Sequence, residues 1–108
     1  MAGQFDYVIV GAGTAGCVLA NRLTACGKYT VCLLEAGPPD WNPMIHIPAG
    51  FMKTIANPSV NWLYQSEPCP GTNGRTIPMP RGKVIGGSSS INGLIFSRGQ
   101  KMDFDVWA

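Results

Sequence analysis

Residues 11–16, GAGTAG, carry three glycines in the spacing G-x-G-x-x-G, directly after the apolar run FDYVIV at residues 5–10. The spacing alone is a weak signal, and its surroundings make it restrictive. The β-branched and aromatic run Phe5 to Val10 predicts a buried strand. Ala15 to about Ala25 predicts a helix, with Val18, Leu19 and Leu23 on one side, Asn21 and Arg22 off it, and Gly27 as its stop signal. Tyr29 to Glu35 (YTVCLLE) predicts a second buried strand. A strand, a helix and a strand in about thirty residues form a βαβ unit, whose strands run parallel.

Within that unit each residue of the motif has a physical task. Gly11 allows a tight turn out of the strand. Gly13 has no Cβ to hold a pyrophosphate away from the backbone, and Gly16 lets helix and strand pack closely. The helix N-terminus presents unpaired N–H groups and about half a positive charge to phosphates. Glu35 lies at the end of the second strand, where its carboxylate can accept hydrogen bonds from ribose hydroxyls and repel a 2′-phosphate. NAD and FAD both fit this geometry. Ala20 and Gly27 extend the spacing in a way that resembles the longer fingerprint of FAD-binding proteins of the glutathione-reductase type.

The remaining sequence is less regular. From Gly37 to Pro80 the chain is rich in proline and shows no long helical period, which predicts a functional excursion or a cover leaning on other polypeptide. Lys83 to Ile85 reads as a brief strand. Asp103 to Ala108 reads as the first turn of a helix, with Asp103 or Asp105 near the positive end of its dipole. Between these lies GGSSSING, residues 86–93, flanked by Val84 and Ile85 on one side and Leu94, Ile95 and Phe96 on the other. Apolar flanks argue against a flexible linker. Consecutive small residues argue for a backbone in close approach to a ligand, with Asn92 adding an amide that both donates and accepts. Ser89 and Ser90 read equally well as groups capping a turn.

Composition narrows the classes. At 108 residues the chain has room for one modest core. Charged residues make up 13 %, against about 25 % in typical soluble domains, so the surface expects cover. The eight Lys and Arg residues are scattered, which argues against nucleic acid or a polybasic membrane patch. The N-terminal apolar run is too short for a signal peptide or membrane span, so the expectation is a cytoplasmic chain, with membrane association open for a longer protein. Cys17, Cys26, Cys32 and Cys69 show no CxxC spacing and only His46 could join them, so no metal site is expected. Their expected state is reduced and buried as small hydrophobes. His46, in the loop MIHIP, reads as structural.

The stretch GKVIGGSSSINGLIFSRGQKMDFD, Gly82 to Asp105, resembles the N-terminal signature of the glucose–methanol–choline oxidoreductases. DYVIVGAGTAGCVLANRL and LLEAG are similar to that family's FAD fingerprint, and NWLYQSEP and MDFDVWA look closest to its choline dehydrogenase and alcohol dehydrogenase branch. The resemblance implies an α/β fold: the N-terminal part of a Rossmann-like FAD-binding domain, with an incomplete sheet and the substrate domain absent from residues 1–108. It implies a flavoenzyme in which a base takes the hydroxyl proton of a small-molecule alcohol while hydride passes to flavin N5, leaving an aldehyde or ketone.

The resemblance also implies roles. Gly11, Gly13, Thr14, Ala15 and Gly16 would hold the pyrophosphate, and Glu35 with Ala36 the adenosine ribose. Arg81, Val84, Gly86, Gly87 and Ser88 would lie along the FAD. Asn92, Gly93, Leu94 and Ile95 would pass beside the isoalloxazine ring, and Trp62 would wall the substrate side. Covalently flavinylated members carry a histidine where this chain has Ile91, so non-covalent FAD is expected. The family's catalytic histidine and its partner lie near the C-terminus of a much longer chain, so no catalytic residue is expected here and the remainder of the protein is the expected partner. Two alternatives stay open: a non-catalytic dinucleotide-binding module, and part of an NAD-dependent dehydrogenase.

Overall fold

The computed structural model describes residues 3–108. Strand β1 (Tyr7–Val10), helix α1 (Thr14–Thr24) and strand β2 (Val31–Leu34) form the expected βαβ unit. β1 and β2 pair in parallel, Tyr7 opposite Val31 through Val10 opposite Leu34. The pairing is extended at one end by Gly11, whose N–H donates to the Leu34 carbonyl at 2.7 Å. At the other end the Asp6 carboxylate accepts hydrogen bonds from both the backbone N–H and the hydroxyl of Thr30, at 2.7 and 2.8 Å. Gly27 takes a left-handed conformation (φ +67°) just past α1.

Three sequence expectations are corrected here. Both strands are shorter than predicted and are not buried: Val8 is 60 % and Val10 84 % exposed. A parallel pair has two apolar faces to cover, and one 11-residue helix covers only part of one. The side of α1 turned inward is also not the one led by Val18 and Leu19, which are exposed; it runs through buried Gly16 and half-buried Ala20 and Leu23. A Cβ on Gly16 would collide with the Gly11 carbonyl oxygen, so small residues set the approach of helix to strand. Third, none of the four cysteines is buried. All are free thiols, Cys17 and Cys32 half-buried, Cys26 and Cys69 exposed.

The excursion is organised by short elements rather than long ones. Helices α2 (Pro43–His46) and α3 (Phe51–Thr54) flank a 3-10 turn at Pro48–Gly50. Strands β3 (Tyr64–Gln65) and β4 (Pro78–Met79) pair antiparallel. Asn61 ties the segment together. It is buried, its Oδ1 accepts from the N–H groups of Leu63 and Arg81 at 3.0 Å each, and its Nδ2 donates to the Ile55 carbonyl at 2.5 Å. One amide thus joins three stretches of loop, at Ile55, Leu63 and Arg81, and its buried polar atoms are satisfied.

The segment 83–85 is not a strand. Gly82 makes a single antiparallel bridge with Asn61, Lys83 donates to the Val60 carbonyl, and the left-handed Gly86 and Gly87 (φ +90° and +59°) then turn the chain into a 3-10 turn, Gly87–Ser90. The closing helix α4 (Lys101–Trp107) begins before Asp103, which occupies its third position and accepts the Gln100 N–H at 2.8 Å. Asp103 is therefore a capping residue and Asp105 lies beyond the first turn.

The core is small. Val60, Val84 and Ile91 form it, with Ile45 packed against them. The radius of gyration is 17.9 Å, against about 13 Å for a compact domain of this length. Trp41, Ile95, Phe96 and Trp107 are all at least 80 % exposed.

Candidate functional site

The two glycine-rich segments, some seventy residues apart in sequence, lie against each other. The Gly86 N–H donates to the Ala12 carbonyl at 2.7 Å. A Cβ on Gly87 would stand 2.8 Å from the Cα of Gly13, so the two backbones touch. The Thr14 hydroxyl donates to the Ser89 hydroxyl at 3.0 Å. Three successive residues of the first loop thus meet three of the second.

A cavity of about 560 Å³ opens beside this contact. It is lined by Val10, Gly11, Gly13, Leu34, Glu35, Ala36, Trp62, Arg81, Gly82, Gly87 and Ser88. The first intrahelical bond of α1 runs from the Cys17 N–H to the Gly13 carbonyl at 2.9 Å. The N–H groups of Gly13, Thr14, Ala15 and Gly16 are the four that a helix leaves without internal partners. A Cβ on Gly13 would meet no atom within 4 Å, so its bare face borders open space rather than packing. A wall of glycine backbone, free N–H groups and a helix N-terminus fits the phosphates of a dinucleotide.

Glu35 lines the same cavity, half-buried and bonded to the glycine loop. Its Oε2 accepts from the Ala12 N–H at 2.8 Å and its Oε1 from the Gly37 N–H at 2.9 Å. Each carboxylate oxygen keeps a further acceptor site, so ribose hydroxyls can still be received. Arg81 extends along the wall with Nη1 donating to the Pro80 carbonyl at 2.7 Å; among the described residues it forms no ion pair. Trp62 stacks on Tyr64 (centroids 5.8 Å apart, planes 4° apart) with the Lys83 ammonium 4.8 Å over its ring. Ser88 presents its Oγ to the Gly82 N–H as an acceptor at 3.0 Å, which leaves its own proton to donate.

The sequence-derived site residues therefore separate into groups. Gly11, Gly13, Glu35, Ala36, Arg81, Gly87, Ser88 and Trp62 line one cavity. Thr14, Ala15, Gly16 and Gly86 do not line it, although Gly86 bonds Ala12 and Thr14 bonds Ser89 beside it. Val84 is fully buried in the core, beside Ile91 at 3 % exposure. Asn92, Gly93, Leu94 and Ile95 are not brought to this cavity. The Asn92 side-chain Oδ1 accepts the Leu94 N–H at 3.0 Å, Leu94 is left-handed (φ +58°), and Ile95 is 89 % exposed. Trp62 lies with the glycine loop and Glu35, not with Asn92 to Ile95. His46 does not line this cavity; its Nε2 lies 2.6 Å from the Asp40 carbonyl oxygen.

Two residues that sequence reasoning passed over prove structural for the site. Asn61 holds the Arg81 backbone in place, and Gly82 lines the cavity. The only sequence signal for Asn61 was an amide set between apolar Val60 and Trp62. Among the described residues no cluster of three or more His, Cys, Asp or Glu could hold a metal, and no helix is long and apolar enough to cross a membrane.

Known proteins match this arrangement over almost its whole length. The family model described as GMC oxidoreductase matches residues 5–108. An alcohol dehydrogenase [acceptor] from Pseudomonas putida is 52 % identical over 104 residues, covering 96 % of this chain and 19 % of that protein. An oxygen-dependent choline dehydrogenase from Rhizobium etli is 50 % identical over 104 residues, with the same coverage. Among solved structures, a pyridoxine 4-oxidase from Mesorbium loti superposes with a TM-score of 0.83 at 39 % identity, covering 96 % of this chain and 20 % of that one. A formate oxidase from Aspergillus oryzae, studied for modification of its FAD, gives 0.82 at 36 % identity, covering 98 % and 19 %. The chain spans about a fifth of the length of the curated relatives it matches.

Proposed function

The chain belongs to the GMC oxidoreductase family, and on that premise we propose that it is the N-terminal FAD-binding part of an enzyme that oxidises a small alcohol to an aldehyde or ketone. GMC oxidoreductases are FAD-dependent. The observation that carries the reading is the convergence of the Gly11–Gly13 turn, Glu35 and the Gly87–Ser88 turn on one cavity. The fold they build is read as the first βαβ unit of a Rossmann-like sheet whose other strands come from further polypeptide.

When bound, the flavin supplies the hydride acceptor that no side chain can provide. The chain's own residues bind and orient it. The free N–H groups at the start of α1 receive the pyrophosphate, and Arg81, which lines the same cavity, adds a positive charge. Glu35 takes the ribose hydroxyls while holding the loop, and its charge disfavours a 2′-phosphate. Ser88 has a hydroxyl proton to donate into the cavity. Asn92 to Ile95 are exposed and free to pass beside the ring system once further polypeptide covers them. The flavin is held non-covalently: Ile91 is alkyl and faces the core, so it offers no nucleophilic atom. Hydroxyl deprotonation needs a base from outside these residues, because the single histidine, His46, does not line the cavity.

The test is the absorption spectrum of the purified complete protein, followed by turnover of alcohols with an artificial electron acceptor. A flavin band that bleaches anaerobically on adding an alcohol is expected, with all colour released on acid precipitation. Protein lacking flavin, or reducing NAD instead, would sink the reading. Flavin remaining in the acid pellet would sink only its non-covalent part.

A further inference from the structure

The contact between the two glycine segments includes one pair of side chains, Thr14 and Ser89. The Thr14 hydroxyl, at the first position of α1, donates to the Ser89 Oγ at 3.0 Å. The Ser89 hydroxyl in turn donates to the Gly86 carbonyl at 2.5 Å. Both donors are committed, so neither hydroxyl proton is available to a ligand. Neither residue lines the cavity.

We propose that Thr14 and Ser89 form a positioning latch that sets the distance between the phosphate-binding turn and the Gly87–Ser88 wall of the same cavity. The inference rests on the flavin-binding reading above. Its physical basis is the thinness of the remaining contact. Apart from the latch, the loops are joined by one backbone hydrogen bond, Gly86 to Ala12, and by the bare backbones of Gly13 and Gly87. Glycine backbones have no side chains to interdigitate, so sliding of one turn along the other is otherwise opposed only indirectly, through Glu35 and the Ile85–Pro38 backbone bond. Gly86 and Gly87 are both left-handed, a conformation that glycine holds loosely. The Ser89–Gly86 bond stiffens that turn from within, and the Thr14–Ser89 bond anchors it to the rigid end of a helix.

Both hydroxyls are exposed, so their bond adds little to folding stability; its effect falls on pre-organisation of the wall. The expected signature is therefore weakened FAD binding with an almost unchanged melt.

The experiment uses the complete protein after removal of its flavin. FAD is titrated by fluorescence quenching into wild type, Ser89→Ala, Thr14→Val, the double variant, and the hydroxyl-retaining Ser89→Thr and Thr14→Ser. Apo melting and hydrogen exchange at the Gly86 amide are read in parallel. Each hydroxyl deletion should raise the FAD Kd about three- to fivefold, the worth of one exposed hydrogen bond. The double variant should be no worse than Ser89→Ala, which already removes both the Thr14–Ser89 and the Ser89–Gly86 bonds, exchange at Gly86 should quicken, and the hydroxyl-retaining variants should bind as wild type. Additive losses, unchanged affinity, or losses that follow a falling apo melt overturn the latch and leave flavin binding standing. Wild-type protein that takes up no FAD overturns both readings.

Discussion

The Glu35 carboxylate and the Ala12 N–H are joined by a 2.8 Å hydrogen bond, while the other oxygen of the same carboxylate takes the Gly37 N–H at 2.9 Å. Glu35 is thus a clamp on the glycine loop, in addition to the ribose-accepting role proposed for it. Both partners are donors, so a carboxylate satisfies them and an amide cannot. In Glu35→Gln, an NH2 group must face one of the two N–H groups. The expected cost is about 1–2 kcal/mol of apo stability, from loss of one charge-assisted bond at a half-buried site. FAD affinity should fall at least tenfold. Thermal melts and flavin titration of this variant check both; an unchanged melt would show that the clamp contributes nothing.

Gly13 and Gly16 respond oppositely to the same methyl group. Gly13→Ala places a Cβ in open space, in a backbone conformation (φ −74°) that alanine adopts freely. That variant should fold with an unchanged apo melt and lose dinucleotide binding by tenfold or more. Gly16→Ala drives a methyl group into the Gly11 carbonyl and should destabilise the fold by about 2 kcal/mol or more before any ligand is considered. Comparing apo melts with flavin titrations separates the two. Equal loss of stability in both would refute the assignment of Gly13 to the ligand side.

Asp6 is held below the usual aspartate range, chiefly by the Thr30 backbone N–H and then by the Thr30 hydroxyl. A depressed folded pKa means that its contribution is present above the unfolded value and is lost as pH falls through the folded one. The β1–β2 pairing should therefore loosen only in acid, below the ordinary aspartate range. Asp6→Asn should remove that acid-dependent component and leave the neutral-pH profile otherwise parallel. A stability profile of identical acid slope in both proteins would contradict this.

Cys69 has its thiol shifted down by the Thr72 side chain, 3.6 Å from the sulfur, and then by the Thr72 backbone. It is also exposed. Iodoacetamide at neutral pH should label Cys69 ahead of the half-buried Cys17 and Cys32, and Thr72→Val should slow its labelling severalfold. Peptide mapping after brief alkylation reads the order. Labelling of Cys17 first would show that accessibility in solution differs from that seen here.

Residues 1–108 expressed by themselves should show no sharp cooperative melt and only weak FAD binding. The cluster of Val60, Val84 and Ile91, with buried Ala12 apart from it, is too small a core to offset the ordering of the chain, and parallel strands exposing Val8 and Val10 lack their cover. Calorimetry tests this; a single sharp transition with stoichiometric flavin would instead favour a self-sufficient binding module.

The elements closest to the glycine motif were legible in the sequence because their signals are local. A β-branched run, a G-x-G-x-x-G turn and an acidic residue at the next strand's end specify strand, helix start and ligand wall within one βαβ unit, and these were placed to within a few residues. The character of the second run was also legible, since glycine and serine between apolar flanks require a close approach. What the approach is to could not be read locally. That Gly86 bonds Ala12, that Gly87 rests on Gly13 and that Ser89 meets Thr14 depends on a chain path of some seventy residues. Along that path lie one buried amide, Asn61, and the small core of Val60, Val84 and Ile91. Exposure was misjudged for a related reason. Hydrophobicity reports what a strand or a thiol would bury, whereas the polypeptide available to cover it decides whether burial occurs. Sequence by itself determined the local backbone and its chemistry; the tertiary structure alone decided which distant backbones touch, because that depends on long-range packing and not on the preferences of either segment.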